Sequence, residues 1–496
     1  MSIICKPAFM RLLGVASAAV VLAEACSSGQ QSDLSHEALL DAQTCAGCHP
    51  EQYNEWAGSM HAYSSTDPVF LAMNRRGQRE TNGALGNFCV NCHAPVAVHE
   101  GATTDGLNLD QVPQRLKGVT CFFCHSVQSV DGAHNNPLQL ARDGIMRASI
   151  SDPFVTNRLH GAAYSPLLDR DRAESATMCG ACHDIVSPHG AAIERTFSEW
   201  QQSVFSQPGG ATPAGSTCGQ CHMQQSTVDK TAADVPGAPQ RRPHSHTFPA
   251  VDTAVTPFPD MQRQRGQVQA FLDTTLQSAL CVEPLGGASL INVILDNVAT
   301  GHFFPSGAAQ DRRAWVEVVA YSGTNVLYSS GVVTDGTSVT SLADRDLWLL
   351  RDCIFDETGS QVDMFWQAAS YEGNALTAHV TFDPSDPRFY QTHKIKSYPS
   401  SGVLPATPDR VTLRVRLQPV GLDVLDDLIA SGDLAPQFRA AFTPFAMGGT
   451  LEWTSAAATD IYIDRATGAF VYCVTNTNLN VRADKFPAPM RSRCAP

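Results

Sequence analysis

Five copies of one short motif fix what this chain can fold around. They read Cys45-Ala-Gly-Cys48-His49, Cys89-Val-Asn-Cys92-His93, Cys121-Phe-Phe-Cys124-His125, Cys179-Gly-Ala-Cys182-His183 and Cys218-Gly-Gln-Cys221-His222. C-x-x-C-H is the attachment sequence of c-type haem: two thiols bond covalently to the porphyrin, and the adjacent histidine lies under the iron as proximal ligand. With 16 Cys and 16 His in 496 residues, a shuffled chain would hold only ~0.02 such motifs. Zinc ribbons also use C-x-x-C pairs, but they need no histidine after each second cysteine. Thioredoxin-like motifs come singly beside a βαβ pattern, and none is visible here. The sequence therefore predicts five covalently bound c-type haems with five irons. Cys45, Cys48, Cys89, Cys92, Cys121, Cys124, Cys179, Cys182, Cys218 and Cys221 are the attachment residues, and His49, His93, His125, His183 and His222 the proximal ligands.

Residues 1–26 read as an export signal. Lys6 and Arg11 form a basic start, Leu12 to Ala23 an apolar run too short to span a bilayer, and Ala23-Glu24-Ala25 a small-residue end. Cys26 follows, with the tether-like Ser27-Ser28-Gly29-Gln30-Gln31-Ser32 after it, an arrangement that resembles a lipoprotein. Cysteine arithmetic agrees. Without Cys5, ten cysteines hold haem, and Cys281, Cys353, Cys473 and Cys494 make an even set for two disulfides of open pairing. Cys26 is then the odd one, which a lipid anchor explains. The expected location is the periplasm or the outer membrane or surface of a bacterium.

No later stretch approaches 18 consecutive apolar residues, so the expected membrane contact is through the anchor alone. A net charge of -14 argues against nucleic acid or anionic lipid as partner. With 17% charged and 43% hydrophobic residues, the composition suits a compact protein.

The expected class is α + β in two domains: a mostly helical or irregular multihaem domain at 33–223 and an immunoglobulin-like β-sandwich at 281–496. A proline-rich linker and one helix, at 224–280, join them. One motif per roughly 36 residues leaves too little chain for a separate apolar core around each haem, so the porphyrins should serve as core. Tyr53, Trp56 and Met60 share a helical face, as do Phe197, Trp200 and Val204. Glu199-Trp200-x-x-Ser203 echoes Glu55-Trp56-x-x-Ser59. Pro236, Pro239, Pro243, Pro249, Pro257 and Pro259 mark the linker, and residues 261–280 read as a helix. Residues 289–296, 314–321, 375–382, 410–417 and 469–472 read as strands, with a helix near Leu422 to Leu434.

A proximal histidine fills one axial site. A carrier haem needs a second ligand, whereas a catalytic one leaves that side open. Eight spare histidines stand in or beside the motif region: His36, His61, His99, His134, His160, His189, His244 and His246. His36, on a polar helix, reads as surface. Each of the others taken alone is about as well explained as a solvated histidine; as a set, most should be ligands. His302, in Thr300-Gly-His-Phe-Phe-Pro305, is a remoter candidate whose ordinary alternative is a buried turn histidine.

Cys45 to Phe70, Cys89 to Pro95, Val119 to Val127, Cys179 to Ser203, and Cys218 to Met223 with His246-x-Phe248 resemble the multihaem cytochrome c superfamily related to hydroxylamine oxidoreductase and the tetrahaem carrier cytochromes. Residues 291–331, with Asn297-x-x-Thr-Gly-His302, resemble the β domain often appended to such cytochromes. The resemblance implies distal-ligand roles for His61 and His246, and for His99, His134 and His160; of the other spare histidines, His189 and His244 stand in reserve by position alone. The expected role is electron transfer through closely packed bis-histidine haems between redox protein partners, or to a terminal acceptor; every motif ends in histidine, so no catalytic residue is expected. Two other roles fit the same motifs: reduction or oxidation of a small nitrogen or sulfur oxyanion at one five-coordinate haem, and a subunit of a haem filament.

Overall fold

The computed structural model describes residues 34–152, 159–208, 215–463, 470–476 and Cys494. Cys26 and the export signal lie outside the described residues. The fold mixes helices with several small sheets, antiparallel apart from one two-stranded parallel pair, Ile145–Ala148 with Gly161–Tyr164. No helix among the described residues is long and apolar enough to cross a membrane.

In the first half the helices are short and begin on local signals. Pro50 opens Pro50–Ala57 directly after His49, and Asp67 caps Pro68–Glu80 by accepting from the Val69 N–H at 2.9 Å. Thr120 caps Cys121–His125, and Thr217 forms a capping box with Gln220 at Cys218–His222. In both, the motif is itself one helical turn, which sets the two cysteines and the histidine on one side. The helix expected to run from Pro50 through Met60 stops at Gly58, and Met60–Tyr63 is a separate turn capped by Ser59. Strand content exceeds the expectation, because Val127–Val130, Leu138–Leu140, Asp184–Val186 and Ala192–Arg195 pair as hairpins between motifs.

An apolar cluster also forms there, contrary to a core made of porphyrin alone. It gathers Leu40, Val69, Phe70, Val90, Val96 and Phe123, and is completed from far along the chain by Trp366, Leu425 and Leu428. The helix Leu422–Ala430 thus packs on the first half. Arg79 adds a two-pronged ion pair to Asp433 (2.6 Å for each prong), and Arg195 pairs with Asp352 at 2.6 Å. Residues 224–260 do more than cross the surface, since their carbonyls reach the motif histidines, as described below.

The second half holds two five-stranded sheets. One runs Lys394–Tyr398, Ala288–Asn297, Leu276–Leu285, Phe470–Thr475, Asp460–Ile463. The other runs Asn325–Ser330, Arg313–Ser322, Arg410–Gln418, Phe445–Thr454, with Trp348–Leu350 also on the Arg313–Ser322 strand. Alternate residues of both sheets, including Leu280, Val282, Val293, Val316, Val318, Leu413 and Val415, share one apolar cluster. The helix expected over 261–280 ends at Thr275, and the chain passes straight into the strand Leu276–Leu285. Burial on both faces hid that strand from an alternation test. Residues 375–382 form no strand; only Leu376 bridges, to Phe304, because the segment runs past the first half, where the His379 carbonyl accepts from Val204 N at 2.7 Å. The disulfides are Cys281–Cys473 and Cys353–Cys494.

Candidate haem-binding sites

None of the ten motif cysteines is drawn into a disulfide, and sulfurs from different motifs approach one another. Cys45 lies within hydrogen-bonding reach of Cys121, Cys92 of Cys182, and Cys179 of Cys218. Cys124 and Cys179 are close enough to interact electrostatically. The five motifs therefore surround one shared region rather than five separate ones.

Across that region, histidines far apart in sequence face each other. The ring centres of His49 and His160 are 6.3 Å apart, those of His61 and His183 6.3 Å, and those of His125 and His246 6.4 Å. His222 and His302 stand 6.5 Å apart with their planes only 15° from parallel. Two imidazoles sharing one metal through bonds of about 2 Å have ring centres roughly 6.3 Å apart. Among the described residues no three His, Cys, Asp or Glu side chains converge as a bare ion site. Two opposed imidazoles with paired thiols alongside are the donor set for an iron porphyrin, which brings its own four equatorial nitrogens. The residues present fit the group.

The far side of six of these eight rings is tied down. Nδ1 lies 2.7 Å from the Ala232 carbonyl in His49, 2.5 Å from that of Arg147 in His125, and 2.7 Å from that of Pro249 in His222. On the opposing rings, Nδ1 lies 2.8 Å from the Gly161 carbonyl in His160, 3.0 Å from that of His244 in His246, and 2.8 Å from that of Phe303 in His302. A carbonyl on Nδ1 fixes the tautomer and leaves Nε2 with its lone pair turned to the partner ring. Desolvation also favours the neutral form that ligation requires. It lowers His61 to about 3 and His93, His246 and His302 to about 4, and it lowers His49, His125, His183 and His222 as well.

His93 differs. Phe70 stacks on it, with ring centres 4.1 Å apart and planes 5° from parallel, and among the described residues no histidine ring faces it. Its Nδ1 lies 3.3 Å from the Ser64 carbonyl, and the Asp252 carboxylate is near enough to act on it electrostatically. Asp252 itself holds the buried Arg312 through two 3.0 Å contacts.

The remaining histidines lie elsewhere. His99 is beside Glu100 at 3.0 Å, and the same carboxylate meets the half-exposed His36 at 3.1 Å. His134 is exposed in its turn, and His189 pairs with Glu357 at 3.0 Å near the surface. His244 bridges to Gln225 and lends its carbonyl to His246. Sequence reasoning passed over His379 and His393, which are buried around Asp296, with His379 Nε2 2.8 Å from its carboxylate. No motif or spacing marks that cluster; only folding assembles it.

A family model described as cytochrome c554 and c-prime matches residues 44–126, which span the first three motifs. Among solved structures, the chain resembles a penta-heme cytochrome c552 from Thermochromatium tepidum, with a TM-score of 0.56 and 18% identity. The likeness covers 84% of this chain and 98% of that one. No curated protein matches. These likenesses support a multihaem c-type cytochrome with covalently bound haem.

Proposed function

We propose that this multihaem cytochrome carries five c-type haems, one on each motif, and passes electrons between redox protein partners or on to a terminal acceptor. The observation that carries the reading is the set of opposed histidines: His49 with His160, His183 with His61, and His125 with His246 are its axial pairs. Bound haem supplies reversible one-electron chemistry, at a potential set by axial ligand, hydrogen bonding and burial. The chain's part is to fix those settings. Carbonyls on Nδ1 make the ligand imidazoles more basic, and burial withholds water. The thiol contacts support an order in which the first motif neighbours the third, the third the fourth, the fourth the fifth, and the second branches from the fourth.

Export, anchoring through Cys26 and work at a periplasmic or outer-membrane surface belong to the same proposal. So does a sandwich-like reading of residues 281–496, supported by the apolar cluster that both sheets share. His99, His134, His189 and His244 have no ligand role in it.

A second reading has one observation in its favour. The unfaced His93, with Asp252 and Arg312 nearby, suits a haem open on one side to a small nitrogen or sulfur oxyanion. One measurement addresses both readings. The exported, purified protein should exceed its polypeptide mass by five haems, and its oxidised spectra should be dominated by low-spin iron. A colourless product would end the proposal, and a high-spin component that shifts with nitrite or hydroxylamine would favour the second reading at the second motif.

A further inference from the structure

We propose that His302, on a loop of the second half, is the second axial ligand at the fifth motif, placed there by a duplicate of the device that places His246 at the third. The inference rests on the five-haem reading and extends it to a residue nearly 80 positions beyond the last motif.

The device is the echoed Glu-Trp-x-x-Ser segment. In the first copy, Trp56 Nε1 donates to the Val119 carbonyl at 2.7 Å, two residues before Cys121. In the second, Trp200 Nε1 donates to the Ser216 carbonyl at 2.8 Å, two residues before Cys218. Each tryptophan therefore positions the start of a later motif, and each of those motifs begins after a threonine cap, Thr120 or Thr217. The serines close both segments alike, since Ser59 N and Ser203 N each donate to their tryptophan's carbonyl at 2.9 Å, and both serines are buried.

The glutamates complete the parallel. Glu55 Oε2 accepts from the backbone N–H of His246 at 2.8 Å. Glu199 Oε2 accepts from the backbone N–H of Phe303, one residue after His302, at 3.1 Å, and from Ser306 Oγ at 2.6 Å. Each carboxylate thus reaches across the fold and fixes the strand of chain that carries the opposing histidine. Thiol contacts join the motifs of each copy as well, Cys45 to Cys121 and Cys179 to Cys218. The two ring pairs that result are near-copies: 6.4 Å and 19° for His125 with His246, 6.5 Å and 15° for His222 with His302. The other two pairs are tilted by 37° and 49°.

The His302 loop is built to hold one geometry. Asn297 Nδ2 donates to the His302 carbonyl at 2.7 Å, and Thr300 Oγ1 donates to the same carbonyl at 2.5 Å. Gly301 has φ +69, and a Cβ there would meet the Phe205 ring at 3.4 Å. His302 Nδ1 is engaged with the Phe303 carbonyl, and Nε2 has no hydrogen-bond partner among the described residues. It stands opposite His222, where a bound haem iron would accept its lone pair. The second half therefore completes a redox site.

The test uses full-length holoprotein. His302→Ala should keep the mass of five haems while about one fifth of the low-spin resonance intensity becomes high-spin, and added imidazole should restore it. His302→Met should keep a six-coordinate fifth haem and raise one midpoint potential, because thioether ligation raises the potential. Glu199→Gln, which loosens the loop without removing the ligand, should give a partly high-spin fifth haem, as Glu55→Gln should for the third. Unchanged low-spin intensity in folded His302→Ala overturns the inference. If that variant does not fold, unaltered potentials in both His302→Met and Glu199→Gln overturn it. A wild-type Cys218–Cys221 peptide without haem mass would instead defeat the five-haem reading beneath it.

Discussion

Under the proposed five-haem reading, a histidine becomes a useful ligand through what its other nitrogen touches. Three proximal rings hand Nδ1 to carbonyls at Ala232, Arg147 and Pro249, none of which a motif search could name. The same interior gathers charge that sequence spacing does not show. Glu194 is partly buried beside Arg312, Asp311, Asp252 and Asp184, and desolvation raises its carboxyl to about 7 despite Arg312. A folded-state value above the ordinary 4.5 means that stability is lost as pH rises from about 4.5 through 7. Glu194→Gln should therefore raise stability by about 3 kcal/mol at pH 8 and by little at pH 4, where the carboxyl is protonated in both states. Urea midpoints at the two pH values measure it, and an equal gain at both would refute the assignment.

At the scale of elements, short helices serve as brackets between motifs. Pro50–Ala57 buries no residue completely, yet its Trp56 pins the chain ahead of the third motif and its Glu55 pins the His246 segment. Trp56→Phe keeps the ring and deletes one donor, leaving the Val119 carbonyl short of a partner. The expected loss is about 1–2 kcal/mol, read by denaturant titration, and Trp200→Phe should cost a similar amount through Ser216. A loss in one variant without the other would argue against equivalent roles. The Glu-Trp-x-x-Ser echo was visible in the sequence, but its meaning was not, since its bonds from Trp56, Glu55 and Glu199 span 63, 191 and 104 residues.

For the whole molecule, the halves interlock and should fail together. Leu425 is fully buried in the cluster that packs the first-half helices, although it lies some 200 residues beyond the last motif. Leu425→Ala should cost about 2–5 kcal/mol and lower a single transition seen alike by calorimetry and by haem absorbance. Two separated transitions, with only the later part of the chain affected, would show that the halves are independent.

The sequence alone determined the attachment sites and proximal histidines of the proposed reading, because C-x-x-C-H completes its geometry within five residues and one helical turn. It also determined most long strands, as at Arg410–Gln418, where one face is buried and the alternation is plain. Opposing ligands were a different matter. His302 and His99 show the difference: His99 lies six residues from a motif and meets Glu100, while His302 lies 80 residues from His222 and faces it. Pairing across a cleft depends on which chain segments share it, and that is set by long-range packing, the Glu55 and Glu199 bonds and the sheets that carry the His302 loop. Local pattern carries no record of such distances; only the folded chain does.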